Sequence, residues 1–415
     1  VFAINYDSAD VQTKIVGMGS FEAGEVVKGE LNGSQNPITH NWFQRVYMDF
    51  GFEATINQRT ELTFIGEGLA HYAGVQSKDI LGNDVVQYLF YPHHIEGSYS
   101  FGQIEHPYLK IGVGVFPFKY NSDVRNLGEY LFRTGTYPPI IFNVFDFSAY
   151  RLMGLRFTSN PIDSLNLTAM LTTETQVTPL QDFSLSFLGS YTFIRSITVG
   201  GGVSLSHFFS VNNKYTTPVN PNNIYKIDTI ISSNDTSYNK HYYTFQATKL
   251  MGRISFDPKV FIPLNIFGSN DLRLYSEVAC IGLTDYPVYY TDISRRIPVM
   301  VGFNIPAFKQ LDVLSLELEW YKWNYANSYT QSLFTSQLPL PDPITSKSFN
   351  PNEQELRWSV YFRRFLGNGF SITGQIAYDH SRLESNVFNK DGFYYGDAMH
   401  NHGDWSWVIK TQFAF

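Results

Sequence analysis

The chain has 415 residues, of which 16% are charged and 17% aromatic, with 28 Tyr, 35 Phe and a formal net charge of −7. Soluble globular domains carry roughly 25% charged residues, so the low charge raises the question of which solvent this surface meets. The scattered, mildly acidic charge excludes a basic footprint for nucleic acid. The single Cys280 excludes an internal disulfide or a metal site built on several cysteines, and no run approaches the roughly 20 consecutive apolar residues of a membrane helix.

In chain order, apolar and polar residues alternate with the period of two that marks strands. After a weak first segment at 12–23, segment 42–56 sets Val46, Met48, Phe50, Phe52, Ala54 and Ile56 against Tyr47, Asp49, Gly51, Glu53 and Thr55. Segment 60–72 sets Leu62, Phe64, Gly66, Gly68 and Ala70 against Glu61, Thr63, Ile65 and Glu67. Segments 93–102 and 107–117 follow, the second with Leu109, Ile111, Val113 and Val115 opposite Lys110, Gly112, Gly114 and Phe116. Then come 147–158, 164–174, 182–193, 196–209, 241–257 (the least clear phase), 271–283 and 296–305. Segment 311–323 opposes Leu314, Leu316, Leu318 and Trp320 to Ser315, Glu317 and Glu319; 355–366 opposes Trp358, Val360 and Phe362 to Arg357, Ser359, Tyr361 and Arg363. Segments 370–381 and 404–415 complete the set, the last with Trp405, Trp407, Ile409, Thr411, Phe413 and Phe415 on one face. These make about sixteen strands, near the roughly 9–11 residues that a tilted membrane strand needs.

The connections alternate in length. Asn57–Arg59, Gln103–His106, Ser159–Asp163, Ile194–Arg195, Pro306–Gln310 and Leu366–Gly369 are tight, whereas 24–41, 73–92, 118–146, 210–240, 284–295, 324–354 and 382–403 are long and polar. Asp257–Asp271 is a longer connection where a short one belongs. A propeller would show self-similarity at a blade-length period, and none is seen. A soluble sandwich would have to combine low charge, loop asymmetry and an outward aromatic face by coincidence. The expected fold is all-β, a transmembrane antiparallel up-and-down barrel in one domain over 1–415, with long extracellular loops and short periplasmic turns. An even strand number leaves both ends on one rim, with the last strand paired to the first. Export to an outer membrane implies a mature chain from which a signal peptide has been removed.

The terminal strand "DWSWVIKTQFAF", apolar at every second position and ending in Phe413 and Phe415, resembles the assembly signal of Gram-negative outer-membrane barrels. With the strand count and the loop asymmetry, the whole chain resembles the general porins. The resemblance implies recognition of the closing strand by the barrel-assembly machinery, a homotrimer, and contact with outer-membrane lipid and lipopolysaccharide. It also implies that the long loop after the fifth strand, 118–146, folds into the lumen as a constriction. That loop carries Lys119, Asp123, Arg125, Glu129 and Arg133, charges of both signs where porin loops are mainly acidic; an exposed extracellular loop is the alternative.

With the apolar faces toward lipid, the opposite faces line the pore with Arg45, Asp49, Glu53, Glu61, Glu67, Lys110, Arg156, Arg273, Glu317, Glu319, Arg357 and Arg363. Acids gather on the second and third strands and arginines near 357–363, which sets a transverse field for polar solutes. Most of these charges individually read as wall salt bridges.

No enzymatic constellation emerges. His93 and His94, adjacent on a strand, are expected on opposite faces and so share no metal. His400 and His402 beside Asp404 lie in a loop, and "NKDGFYYGD" at 389–397 lacks calcium-loop spacing. Gly200-Gly201-Gly202 lies in a strand with no helix after it, so it reads as a place where a neighbouring element approaches the wall. Ser206 and His207 fall on opposite faces and form no hydrolase pair. No cofactor and no metal is expected. The sequence reads as a passive channel for small hydrophilic solutes and ions. The alternatives are a surface scaffold or adhesin binding glycan or proteins through its loops, and a sugar-type channel with an aromatic slide.

Overall fold

The computed structural model describes residues 10–29, 39–73, 87–133, 150–173, 182–209, 225–232, 235–242, 247–262, 265–283, 292–322, 355–378, 387–389, 392–394 and 403–415. Sixteen strands make one sheet: β1 (Val11–Lys28), β2 (Asn41–Ile56), β3 (Thr60–Ala73), β4 (Gln87–Gly102), β5 (Pro107–Phe118), β6 (Tyr150–Ile162), β7 (Leu165–Thr173) and β8 (Phe183–Phe193), then β9 (Ile197–Phe209), β10 (Ala247–Phe256), β11 (Leu274–Ile281), β12 (Val299–Asn304), β13 (Val313–Tyr321), β14 (Glu355–Gly367), β15 (Phe370–Tyr378) and β16 (Trp405–Ala414). Each pairs antiparallel with its sequence neighbours, and β16 pairs with β1 to close the barrel. Each predicted segment overlaps one barrel strand. The differences lie at the ends: β1 runs on to Lys28, β4 begins at Gln87 rather than 93, and β10 begins at Ala247 rather than 241 because Asp235–Tyr242 pairs with Tyr225–Ser232 in a separate sheet. Alternation there did not distinguish a barrel strand from a loop hairpin.

Exposure along the strands is inverted relative to a soluble protein. On β2 the apolar row Val46, Met48, Phe50 and Phe52 is exposed, Met48 at 61%, while Arg45 and Asp49 on the other row are buried at 4% and 6%. On β13 Leu318 and Trp320 are exposed, and Ser315, Glu317 and Glu319 are buried. An apolar belt outside and polar side chains inside is the arrangement that hydrocarbon selects, because its backbone groups find partners only in a closed sheet. Residues 257–262 and 265–271 of the long connection form a structured rim piece. Asp257 caps the 3₁₀ turn Pro258–Phe261 by accepting from the Lys259 backbone N–H, and Lys259 Nζ donates to the Ser269 and Asp271 carbonyls.

Closure extends to the last residue. Phe415 N–H donates to the Gly17 carbonyl at 3.0 Å and Gly17 N–H to the Phe415 carbonyl at 3.1 Å. The Phe415 ring lies flat against Gly17, where an added Cβ would sit 2.3 Å from Phe415 Cζ. At Gly19, one outward position along, a Cβ would meet nothing within 4 Å. Gly17→Val should therefore unseat Phe415 and lower the temperature at which the folded barrel converts to its slower-migrating, unfolded form on semi-native gels. Gly19→Val should leave that temperature within a degree or so of wild type, because substitutions that meet no neighbour usually change stability by less than about 0.5 kcal/mol.

Candidate functional site

The barrel interior is divided by the chain that follows β5. Residues 119–133 turn inward and end in a single helical turn, α1 (Tyr130–Arg133). The segment first closes on itself, the Asn121 N–H donating to Glu129 Oε1 at 2.6 Å and Lys119 Nζ to the Val124 carbonyl at 2.7 Å. It then docks on the inner face of β11, β13 and β14. Three successive backbone N–H groups, of Arg125, Asn126 and Leu127, donate to the Glu317 carboxylate at 2.5, 2.7 and 2.7 Å. Glu277 accepts from the Tyr120 hydroxyl at 2.6 Å, Asn121 Nδ2 at 3.0 Å and Tyr130 N–H at 2.9 Å. The Tyr130 hydroxyl reaches Glu319 at 2.9 Å, Asn126 Nδ2 reaches Ser359 Oγ at 3.1 Å, and Asp123 pairs with Arg273 at 2.6 Å. Hydrogen bonds to charged groups contribute about 1.5–3 kcal/mol each, so the carboxylates hold this segment firmly.

An apolar cluster backs these bonds. Val124, Leu127, Tyr130, Leu131 and Phe132 pack with Phe116 of β5, Leu152 of β6, Met170 of β7, Met251 of β10, Tyr275 of β11 and Met300 of β12. Val124 and Leu127 are fully buried. The segment is thus wedged between two arcs of wall, and full burial of each Leu or Val stabilises by roughly 1.5–3 kcal/mol. One wall position is shaped for it: a Cβ at Gly202 of β9 would stand 2.8 Å from Leu131 Cδ1. Within the glycine run of β9, Gly202 is where the inward segment approaches the wall, as the sequence reading allowed for some neighbouring element, while Gly200 faces Arg253 and Gly201 the Met251 carbonyl.

The remaining wall is ionic. Arg156 NH2 donates to both oxygens of Glu96 at 2.7 Å and stacks over the Phe116 ring, 4.6 Å from its centroid. Lys110 pairs with Glu61 at 2.6 Å; Arg45 and Lys410 each lie 3.8 Å from the buried Glu22. Arg357 is buried over the Tyr378 ring, at 4.7 Å from its centroid. Asp49 and Glu67 are direct register partners on β2 and β3. Glu53 and Arg363, on the same inward rows of β2 and β14, are exposed and half-buried respectively. Lys119, Asp123, Arg125 and Glu129 all belong to the inward segment, Glu129 fully buried. The side chain of Arg133, residues 134–146, the side chain of His207, and His400, His402 and Asp391 fall outside the described residues.

Two features escaped the sequence reading. The inner wall is not polar throughout, since Leu152, Met170, Met251 and Met300 interrupt it with an apolar patch. The second is a correction: His93 and His94 do not point to opposite faces. Ile65 pairs with His94 but Gly66 pairs with Pro92, so His93 is an extra, bulged residue. A bulge re-aims its side chain, and both rings turn inward, His93 Nδ1 to Glu67 at 2.8 Å and His94 Nε2 to Glu96 at 2.9 Å. Pro92, which cannot donate to a ladder, was the visible sign of the break.

No protein-family model matches the chain, and no curated protein matches it in sequence. Among solved structures it is similar to a variant porin of Rhodopseudomonas blastica, at 8% identity over 97% of this chain and 100% of that one, with a TM-score of 0.46. It is likewise similar to Pseudomonas putida OprB at low pH, at 9% identity over 98% of this chain and 92% of that one, with a TM-score of 0.45. The closed strand pairing of the chain itself, and not these likenesses, defines the barrel.

Two substitutions test the docking of residues 119–133. Glu317→Gln removes the charge that three N–H groups share and should loosen the segment by about 3 kcal/mol. Gly202→Leu should drive Leu131 off the wall. Both should make the segment cleavable by added protease in the folded barrel, with wild type resistant under the same conditions.

Proposed function

We propose that this protein is an outer-membrane diffusion channel of the porin type, passing small hydrophilic solutes and ions through a water-filled lumen that residues 119–133 narrow. The observation that carries this reading is the closed barrel with an apolar exterior and a charged interior, into which one loop segment folds. A sixteen-stranded barrel is wide enough to leave an aqueous passage. In this reading Lys119, Asp123, Arg125 and Glu129 shape the constriction, and Asp49, Glu53, Glu61, Glu67, Lys110, Arg156 and Arg363 line the passage beside it. Glu317, Glu319, Arg273 and Arg357 belong to the wall on which the segment rests. The closing strand, with Phe413 and Phe415, is the assembly signal, and the channel works as a homotrimer among outer-membrane lipid and lipopolysaccharide.

A second reading has one specific observation in its favour. The apolar cluster around Leu127 joins two arcs of the wall, which suits a barrel that is plugged and serves as a scaffold for its loops. Single-channel recording in a planar bilayer under a salt gradient separates the two. An open channel gives stepwise conductance, in triplets for a trimer, with a reversal potential that reports its ion preference. An inserted barrel that stays silent would overturn the channel and leave the scaffold.

A further inference from the structure

We propose that Asp49, Glu67 and His93 form a binding site for a first-row divalent cation such as Zn²⁺ on the inner wall of β2, β3 and β4. The proposal stands on wall geometry and does not depend on conduction. Asp49 and Glu67 face each other directly across the β2–β3 ladder, both buried, at 6% and 1% exposure. Like charges directly opposite on one face of a sheet repel, so a cation bound beside the two carboxylates would relieve that repulsion.

The third member reaches the pair through a departure from regular strand geometry. The extra residue in β4 places His93 Nδ1 at 2.8 Å from Glu67 Oε2 and 3.9 Å from Asp49 Oδ2. In an unbulged strand with the phase of His94, residue 93 would turn to lipid. The register shift therefore converts an acidic pair into a mixed nitrogen and oxygen donor set.

One ligand atom from each of the three residues lies within 4.8 Å of the others. Zn²⁺ binds imidazole nitrogen and carboxylate oxygen at about 2.0–2.2 Å in a tetrahedral arrangement, so its ligand atoms stand about 3.4 Å apart. Closing the set onto an ion draws the widest pair together by about 1 Å and parts His93 and Glu67 slightly, movements that χ rotations of the three side chains can share. One imidazole with two carboxylates suits a borderline divalent cation better than Ca²⁺ or Mg²⁺, which take oxygen donors almost alone. His93 is one-fifth exposed in its side chain, while the two acids are nearly covered. The ion thus enters past the ring from the lumen side, and water completes its coordination. Binding exchanges the His93–Glu67 hydrogen bond for two bonds to the ion, with the imidazole proton carried on Nε2 so that Nδ1 is free to ligate.

The test is calorimetric titration of ZnCl₂ into the full-length folded barrel in detergent, stripped beforehand with chelator, comparing wild type with His93→Ala. Wild type should bind one more equivalent than His93→Ala. Asp49→Asn and Glu67→Gln should each weaken that equivalent at least tenfold, and His94→Ala should keep it. Zn²⁺ should also raise the temperature at which the wild-type barrel unfolds on a semi-native gel, and leave His93→Ala unmoved. If His93→Ala fails to fold, His93→Gln takes its place. Equal stoichiometry in wild type and the His93 variant, or no binding to wild type, would overturn the site. In that case the imidazole serves only as the acids' hydrogen-bond partner.

Discussion

Hydrocarbon offers a peptide group no hydrogen bond, and most of this architecture follows from that fact. Each unpaired backbone N–H or C=O in the bilayer core costs several kcal/mol. A sheet in lipid must therefore consume its own edges, and here β16 does so against β1, down to the mutual Gly17–Phe415 pair. Once the sheet is closed, the two faces of each strand meet different solvents. Outward rows such as Met48 and Phe50 become cheap in lipid, and inward rows such as Asp49 and Glu317 are left to one another, to water, and to whatever the chain folds inside.

What it folds inside is residues 119–133, and the way they are held is unusual in chemistry more than in shape. The wall presents acids, and the segment answers with backbone N–H groups. At Glu317 three in succession converge on one carboxylate, as amides of a nest converge on an anion, except that the anion belongs to the barrel. The arrangement neutralises wall charge without spending a basic side chain. It leaves Arg273 for Asp123 and Arg125 for the Ser122 carbonyl. The apolar cluster then removes water from around these bonds, which strengthens them.

The barrel was legible in the sequence because lipid enforces alternation over ten residues at a time, and a row such as Val46, Met48, Phe50 and Phe52 leaves no ambiguity of phase. The inward charges were legible for the same reason, as the opposite face of the same rows. The apolar inner patch was not, because Met170, Met251 and Met300 each look like a single lapse in a polar row, and only tertiary contact with Leu127 and Leu131 makes them a surface. Which acid would hold which loop amide was equally hidden, since nothing local in Glu317 distinguishes it from Glu319. At His93 the rule of alternation itself misled. One inserted residue shifted the phase of β4, and the sequence advertised the slip only through Pro92.

The docking of residues 119–133 also bears on the order in which the protein is made. Arg125 and the Glu317 carboxylate that holds its N–H are 192 positions apart, and Asn126 and Ser359 are 233 apart. Contacts at such separation form late, because the loop between them must close first. Wherever strand pairing begins, the seat for the segment does not exist until β5 and β6 on one side and β11, β13 and β14 on the other have all joined the sheet. Until both arcs are present, Val124, Leu127 and Leu131 have no complete apolar seat. The space inside the barrel acquires its final dimensions only once both arcs are in place, and the wall that encloses it is the same wall that anchors its contents.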